Sequence, residues 1–305
     1  MNELEEAQRL YAQAEILLAQ GSWADAANLF QRALSAFNTL GDGTGEALAL
    51  SGLGVAYLYL DHSGEALGCQ RNSLNVFHAI GFTRGEARSG MRLGNVYTVL
   101  QRHEEAVNAF QMALRLARQV QDEQLVMDCL FGLGTAYLSM GVLTNAIDSY
   151  KEVYPIYERL GDRGGMASTS NNLGRAYFLK GEFPEAERCH TRSFALFQEL
   201  ANDQGAAEAL LNLGNVYYRR RDHAKAIRCY QQSRELFRRS GHRFGEAISL
   251  ANLGDLAVNR RFLVSRNARR QALDYWHEAV TIYKEIDSPK AEELMERIRE
   301  QRGLM

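Results

Sequence analysis

Three prolines and four cysteines are all that the 305 residues contain, and each scarcity excludes something. With so little proline, no low-complexity tract and 46% apolar residues, a disordered chain is excluded. No apolar run approaches the ~20 residues that span a bilayer. The first residues, Met1-Asn2-Glu3-Leu4-Glu5-Glu6, are acidic where a secretory signal needs an apolar core, so a cytoplasmic protein without membrane contact is expected. Catalytic motifs are missing as well: there is no Walker lysine, no His-Glu-x-x-His and no nucleophile elbow, and the seven histidines are scattered. Gly52-Leu53-Gly54 sits inside a helical pattern and follows no strand, so it is no phosphate loop. Neither an enzyme nor a cofactor or metal site is expected. Cys69, Cys189 and Cys229 share one column of a 40-residue frame, which suits packing as small hydrophobes and not the convergence that zinc requires.

That frame is what the chain does have. Leu-Gly recurs at Leu53-Gly54, Leu93-Gly94, Leu133-Gly134, Leu173-Gly174, Leu213-Gly214 and Leu253-Gly254, always 40 residues apart. A tyrosine follows three residues on at Tyr57, Tyr97, Tyr137, Tyr177 and Tyr217, and an alanine closes the pattern at Ala66, Ala106, Ala146, Ala186 and Ala226. Such self-similarity marks one supersecondary unit copied along the chain, each copy contacting its neighbours. Apolar positions within a copy follow three- and four-residue spacing, first around Leu-Gly and again around the alanine, which predicts two helices. The break between them reads Gly21, Asp61, Gln101, Gly141, Gly181, Arg221, short enough to leave the helices antiparallel.

Copies end at Gly41, Gly81, Gly161 and Gly241, where glycine suits a left-handed cap, and Asp42, Asp122, Asp162 and Asn202 are positioned to cap the next helix. A glycine inside a helix costs about 1 kcal/mol relative to alanine, so the six Leu-Gly glycines imply close helix approach, with the alanine column expected to supply the other half of the contact. The column Phe37, Phe77, Tyr157, Phe197, Phe237 is expected to fill the space between copies.

Leu-Gly-x-x-Tyr followed by the alanine is the signature that this chain shares with the tetratricopeptide repeat family, which it resembles over nearly its whole length. The 40-residue period is similar to the extended Leu-Gly-Asn subtype of spindle-adaptor and bacterial scaffold proteins. The resemblance implies an all-α, right-handed superhelical solenoid: seven antiparallel helix pairs over about 4–40, 44–80, 84–120, 124–160, 164–200, 204–240 and 244–286, and a capping helix over about 289–301. It also implies one domain, and first helices that line a concave peptide-binding groove.

On that resemblance the groove carries Met91, Asn95, Thr98, Phe131, Thr135, Asn171, Arg175, Phe178, Leu211, Asn215, Tyr218 and Arg219. Asparagine is a poor helix-interior residue whose amide both donates and accepts, which suits holding a peptide backbone while aromatic residues take side chains. Asn172, Asn212 and Asn252 are expected instead to bridge adjacent repeats. The chaperone-tail subtype's lysine and asparagine clamp is not matched, its positions reading Ser51, Val55, Met91 and Asn95. The implied function is a non-enzymatic scaffold or adaptor for another protein or peptide. The alternative is a peptide-responsive regulatory domain similar to the Rap-type sensors.

Two departures from the frame remain. Pro155 falls inside a second helix, where a kink is expected, as a local bend or as a hinge. The seventh alanine is Ala272 and not residue 266, so six residues have been inserted, and Arg260, Arg261, Arg266, Arg269 and Arg270 cluster there as a possible second surface. Charge is also uneven: residues 1–203 carry 16 basic against 24 acidic side chains, and the remainder 19 against 13. Nucleic-acid binding through the basic end is the least favoured reading, given a net charge of −2 and no nucleic-acid module.

Overall fold

The punctuation of the sequence becomes helix ends. A computed structural model describes residues 2–258 and 266–303, and among them all regular structure is α-helical. The chain divides into two units, Met1–Val153 and Tyr154–Met305. Unit 1 holds α1 (Glu3–Ala19), α2 (Trp23–Leu40), α3 (Gly43–Tyr59), α4 (Ser63–Ala79), α5 (Thr83–Val99), α6 (His103–Gln119) and α7 (Glu123–Ser139). α8 (Leu143–Leu160) runs through Pro155 as one helix and is shared between the units. Unit 2 continues with α9 (Arg163–Lys180), α10 (Phe183–Glu199), α11 (Asp203–Arg219), α12 (His223–Arg239), α13 (Arg243–Val258), α14 (Arg266–Glu285) and α15 (Lys290–Gly303). Among the described residues consecutive helices pack as pairs, α7 meeting α8 through Tyr150 over Gly134, which makes seven pairs and a closing helix.

Every twentieth residue from Gly21 to Gly241 has positive φ, including Asp61, Gln101, Gln121, Ala201 and Arg221, which lack glycine's freedom. The next residue's N–H then reaches five residues back, as in Ser22 to Leu17 O at 2.9 Å and Asp42 to Phe37 O at 3.0 Å. This closes the preceding helix with a Schellman-type bond. Asp42, Asp122, Asp162 and Asn202 cap the following helices by accepting backbone N–H bonds at 2.8 to 3.1 Å. Asp222 does the same for α12 at 3.2 Å.

The Leu-Gly glycines meet a different partner from the one the alanine column suggested. Ala66, Ala106, Ala146, Ala186 and Ala226 are fully buried, but the side chain over each glycine belongs to the residue one turn later. A methyl built on Gly54, Gly94, Gly134, Gly174, Gly214 or Gly254 would stand 2.4 to 2.7 Å from Gln70, Phe110, Tyr150, His190, Tyr230 or Trp276 respectively. Helical side chains lean toward their own N-terminus, so the residue one turn on from the alanine covers the spot beside it. Trp276 over Gly254 also fixes the shifted register of the last pair, since it follows Ala272 by the same four residues.

A second set of rings packs each pair on the next. Phe37, Phe77, Tyr157, Phe197 and Phe237 lie on Gly45, Gly85, Gly165, Gly205 and Gly245, each eight residues on, where a methyl would stand within 2.3 to 2.6 Å. At the α6–α7 junction the ring is replaced by Ala117 and the glycine by Leu125, both buried in one cluster. The volume has moved from one helix to the other, which keeps the junction filled.

In unit 2, Ala291, Leu294 and Ile298 of α15 join Ala247, Leu250, Trp276 and Tyr283 in the terminal core cluster. The charged last helix therefore covers the apolar face of the seventh pair, and it begins at Lys290, one residue after Pro289. Cys69, Cys129 and Cys229 form no disulfide; burial pushes the Cys129 thiol up to about 12 and the Cys69 and Cys229 thiols up to about 11. Among the described residues no group of His, Cys, Asp or Glu is arranged to hold a metal, and no helix is long and apolar enough to cross a membrane.

Candidate functional site

The residues around each Leu-Gly lie on the first helix of a pair, and neighbouring first helices touch: α3 with α5 and α5 with α7 in unit 1, α9 with α11 and α11 with α13 in unit 2. Each unit therefore carries its own face of adjacent helices.

In unit 1, Asn95 is exposed on α5, and Met91 and Thr98 flank it, half-buried. The Asn95 amide donates to Met91 Sδ at 3.3 Å, and Thr98 Oγ1 donates to the Gly94 carbonyl at 2.9 Å. On α7, Phe131 meets the Tyr150 ring edge-on at 5.9 Å, and Thr135 Oγ1 donates to the Phe131 carbonyl at 3.0 Å and lies 3.2 Å from the Tyr150 hydroxyl. The touching helices α5 and α7 carry, respectively, an exposed asparagine amide and a half-buried aromatic ring.

In unit 2, Arg175 and Arg219 are exposed. Arg219 lies over Phe178 at 5.6 Å and Phe183 at 5.5 Å, and those rings tilt against each other at 5.9 Å. Such stacking holds a cation over apolar surface while its N–H edge stays free to bond. Tyr218 packs edge-on to His223 at 6.2 Å, and Leu211 is half-buried against the Tyr230 cluster.

Asn171 and Asn215 are both engaged within the face. Asn171 is buried, and its Oδ1 accepts from Asn212 Nδ2 at 3.2 Å and meets His190 Nδ1 at 3.0 Å. Asn215 Oδ1 accepts from the Tyr230 hydroxyl at 2.8 Å and from Asn252 Nδ2 at 3.5 Å. Asp255 repeats the pattern, accepting from Trp276 Nε1 at 3.1 Å and from Arg297 Nη1 at 3.0 Å. A ladder runs through unit 2: an acceptor on each first helix takes one bond from its own pair and one from the next helix of the face. Asn212 and Asn252 are thus the inter-repeat bridges that their column suggested. His190, held in this ladder, is lowered to about 3 by burial first and then by the charge of Arg175.

Unit 1 contains a charged version that the sequence did not single out. Ser51 Oγ accepts from Arg92 Nη1 at 2.7 Å and donates to Gln70 Oε1 at 3.2 Å, while Gln70 Nε2 donates to the Ser51 carbonyl at 2.9 Å. Arg92 occupies the column of Gly52, Gly132, Asn172, Asn212 and Asn252, so a charge among small and neutral residues was the available signal.

Of the basic cluster near the insertion, Arg260 and Arg261 lie outside the described residues, and Arg266 begins α14. Arg269 is half-buried and Arg270 exposed on the same helix.

A tetratricopeptide repeat family model matches residues 2–77, 86–159, 126–199, 165–239 and 205–260. The chain belongs to the tetratricopeptide repeat family. No curated protein sequence matches it, whereas solved structures of this fold do. Apo RapI is similar with a TM-score of 0.72 at 11% identity, over 92% of this chain and 99% of that one. The apo quorum sensor NprR from B. thuringiensis reaches 0.68 at 12% identity, over 99% and 89%. A Rap protein complexed with Competence and Sporulation Factor reaches 0.60 at 14% identity, over 98% of both chains. At these identities the likeness is one of tetratricopeptide-repeat fold.

Proposed function

We propose that this tetratricopeptide-repeat chain is a non-enzymatic scaffold that holds a peptide segment of another protein against the first-helix faces of its units. The observation that carries the reading is the occurrence of accessible polar groups and aromatic surface on touching helices: Asn95 on α5 and Phe131 on α7 in unit 1, and in unit 2 Arg219 over Phe178, with Arg175 exposed on the same helix as that ring. Amide and guanidinium groups fix the register of a main chain, and the rings supply apolar contact area. Met91, Thr98, Thr135, Leu211 and Tyr218 border these positions. Asn171 and Asn215 contribute chiefly by holding the face in shape, since their carbonyl oxygens are engaged within it.

The test compares wild type with two double variants, Asn95→Ala with Phe131→Ala and Arg175→Ala with Arg219→Ala, in affinity capture from native lysate with quantitative mass spectrometry. Circular dichroism confirms that each variant is folded. A partner retained by wild type and lost by either folded variant supports the reading, and partners indifferent to both overturn it. A peptide-responsive regulatory role is the second reading, favoured by the likeness to a Rap protein complexed with Competence and Sporulation Factor. Solution scattering that changes when a captured peptide is added would support that role over a rigid scaffold.

A further inference from the structure

At the junction between the seventh pair and α15, neither side gives up volume. Tyr283 follows Ala272 by eleven residues, as Phe237 follows Ala226, and so belongs to the column of rings that pack each pair on the next. Eight residues on stands Ala291, where the other junctions that hold a ring have glycine, and at those glycines a methyl would stand within 2.3 to 2.6 Å of the ring. The last helix therefore cannot close on its ring as the others do. A recess of about 150 Å³ is left between α13, α14 and α15.

Tyr283 is only 3% exposed, yet its hydroxyl makes no hydrogen bond among the described residues and is not shut in by them; it lines the recess. Burial pushes this hydroxyl up to about 12, which keeps it neutral and able to donate. Packing alone would be served by phenylalanine, which the column has at Phe37, Phe77, Phe197 and Phe237. The walls add charges in balance. Lys290, Glu293 and Arg297 line the recess from one face of α15, and Asn252 and Asp255 line it from α13. Arg297 Nη1 donates to both Asp255 oxygens, at 3.0 and 3.3 Å, so these two charges neutralise each other at one end. At the other end Lys290 Nζ lies over the Phe244 ring at 4.9 Å. Between the ends stand Glu293 and Asn252, whose Nδ2 donates to Asn215 and whose Oδ1 accepts nothing among the described residues. One cation, one anion, one carbonyl oxygen and one hydroxyl thus remain for a guest.

We infer that this recess binds a free α-amino acid with a small side chain. The ammonium of the guest goes to Glu293 and the Asn252 carbonyl oxygen, its carboxylate to Lys290 and the Tyr283 hydroxyl, and its side chain to Ile248, Ala251 and Leu294. Charge-assisted bonds of both signs suit a zwitterion and disfavour a guest with a net charge. A cavity of this volume holds a molecule the size of benzene, which admits glycine, alanine or serine. The inference goes beyond the scaffold reading and uses none of its contact residues.

Isothermal titration calorimetry on the full chain tests each standard amino acid up to millimolar concentration. Glycine, alanine or serine is expected to bind most tightly, and its N-acetyl and amide forms, which each lack one charge, to bind about tenfold more weakly or not at all. Tyr283→Phe keeps the ring and removes the hydroxyl. It should weaken binding by about tenfold and leave the melting temperature of the unliganded chain unchanged or raised. Glu293→Gln, an exposed position on α15, should weaken binding to a similar degree. No binding, a preference for bulky side chains, or binding indifferent to both variants or to the loss of one charge overturns the inference. A lowered melting temperature in unliganded Tyr283→Phe would show that the hydroxyl serves the core, and overturns it likewise. Capture of a protein partner through Asn95 or Arg219 stands or falls separately.

Discussion

The two units solve the same packing problem with different chemistry. In unit 2 the ladder of the first helices is Asn171, His190 and Asn212, then Asn215, Tyr230 and Asn252, in which each donor meets an acceptor and only His190 is titratable below neutral pH. In unit 1 the equivalent rung is Ser51, Gln70 and Arg92, which closes the same geometry and leaves a charge over. The junctions between pairs differ likewise. Both units place rings on glycines, at Phe37–Gly45 and Phe77–Gly85 in unit 1 and at Phe197–Gly205 and Phe237–Gly245 in unit 2, but unit 1 also places Leu125 against the space left by Ala117. Close contact constrains pairs of residues, and the partners trade size as long as the total is kept.

Trading those partners gives the largest expected effect. Phe197→Ala empties a buried ring site and should cost about 3–5 kcal/mol, and Gly205→Leu alone should cost about 3 kcal/mol by overpacking against that ring. The double variant reproduces Ala117–Leu125, and it should recover about 1–3 kcal/mol of the summed loss. Urea unfolding measures all three, and strict additivity would refute the volume-trade account.

A second test turns on His190, which has no histidine counterpart in unit 1, where Gln70, Phe110 and Tyr150 hold the column. Its folded pKa is about 3, below the ordinary ~6.5. Below about pH 6.5 the unfolded chain takes a proton that the folded chain refuses, so this contribution is full above that pH and is lost as pH falls toward 3. Relative to His190→Gln, wild type should lose about 1.4 kcal/mol per pH unit between pH 6 and 4. Hydrogen exchange should place the loss in α9 and α10, with α3 and α4 showing no difference between the two proteins. Equal slopes for the two proteins would mean that His190 is not held neutral.

The smallest effect concerns the turns. Ala201 in unit 2 and Gln121 in unit 1 adopt φ of 51° and 54° without being glycine. Ala201→Gly and Gln121→Gly should each stabilise by about 1 kcal/mol or less, the relief of left-handed strain being partly offset by unfolded-state entropy. Thermal melting of the two variants is the check, and a loss at either site would show that its side chain contributes more than the strain it causes.

The period, the paired helices and the caps were legible because each leaves a residue type at a fixed offset: Leu-Gly every 40 residues, Asp or Asn after a helix end. The covering residue over the Leu-Gly glycines was less so. Gln70, Phe110, Tyr150, His190, Tyr230 and Trp276 share a position but not a chemistry, so the invariant alanine one turn earlier drew the contact to itself. Period alone also does not say whether Asn171 or Asn172 turns toward the next helix; hydrogen-bond geometry shows that Asn171 and Asn215 are both drawn into the bridges. The turn column hid its conformation for a related reason, since aspartate, glutamine and arginine occupy it beside glycine and all adopt positive φ.

The ring that lies on a glycine eight residues downstream has a consequence for how such a chain can grow. A duplication whose breakpoint falls between Phe37 and Gly45, or between Phe197 and Gly205, separates a ring from the hollow made for it. Unless the incoming segment restores an equivalent match, the new junction is overfilled or void. A breakpoint at the turn inside a pair leaves ring and hollow on one inherited piece, but it parts the Leu-Gly glycine from the residue that covers it. Copies therefore recombine without repair only where donor and recipient agree at the broken contact, and the agreement of these columns over so many copies is the heredity of fit that this architecture requires.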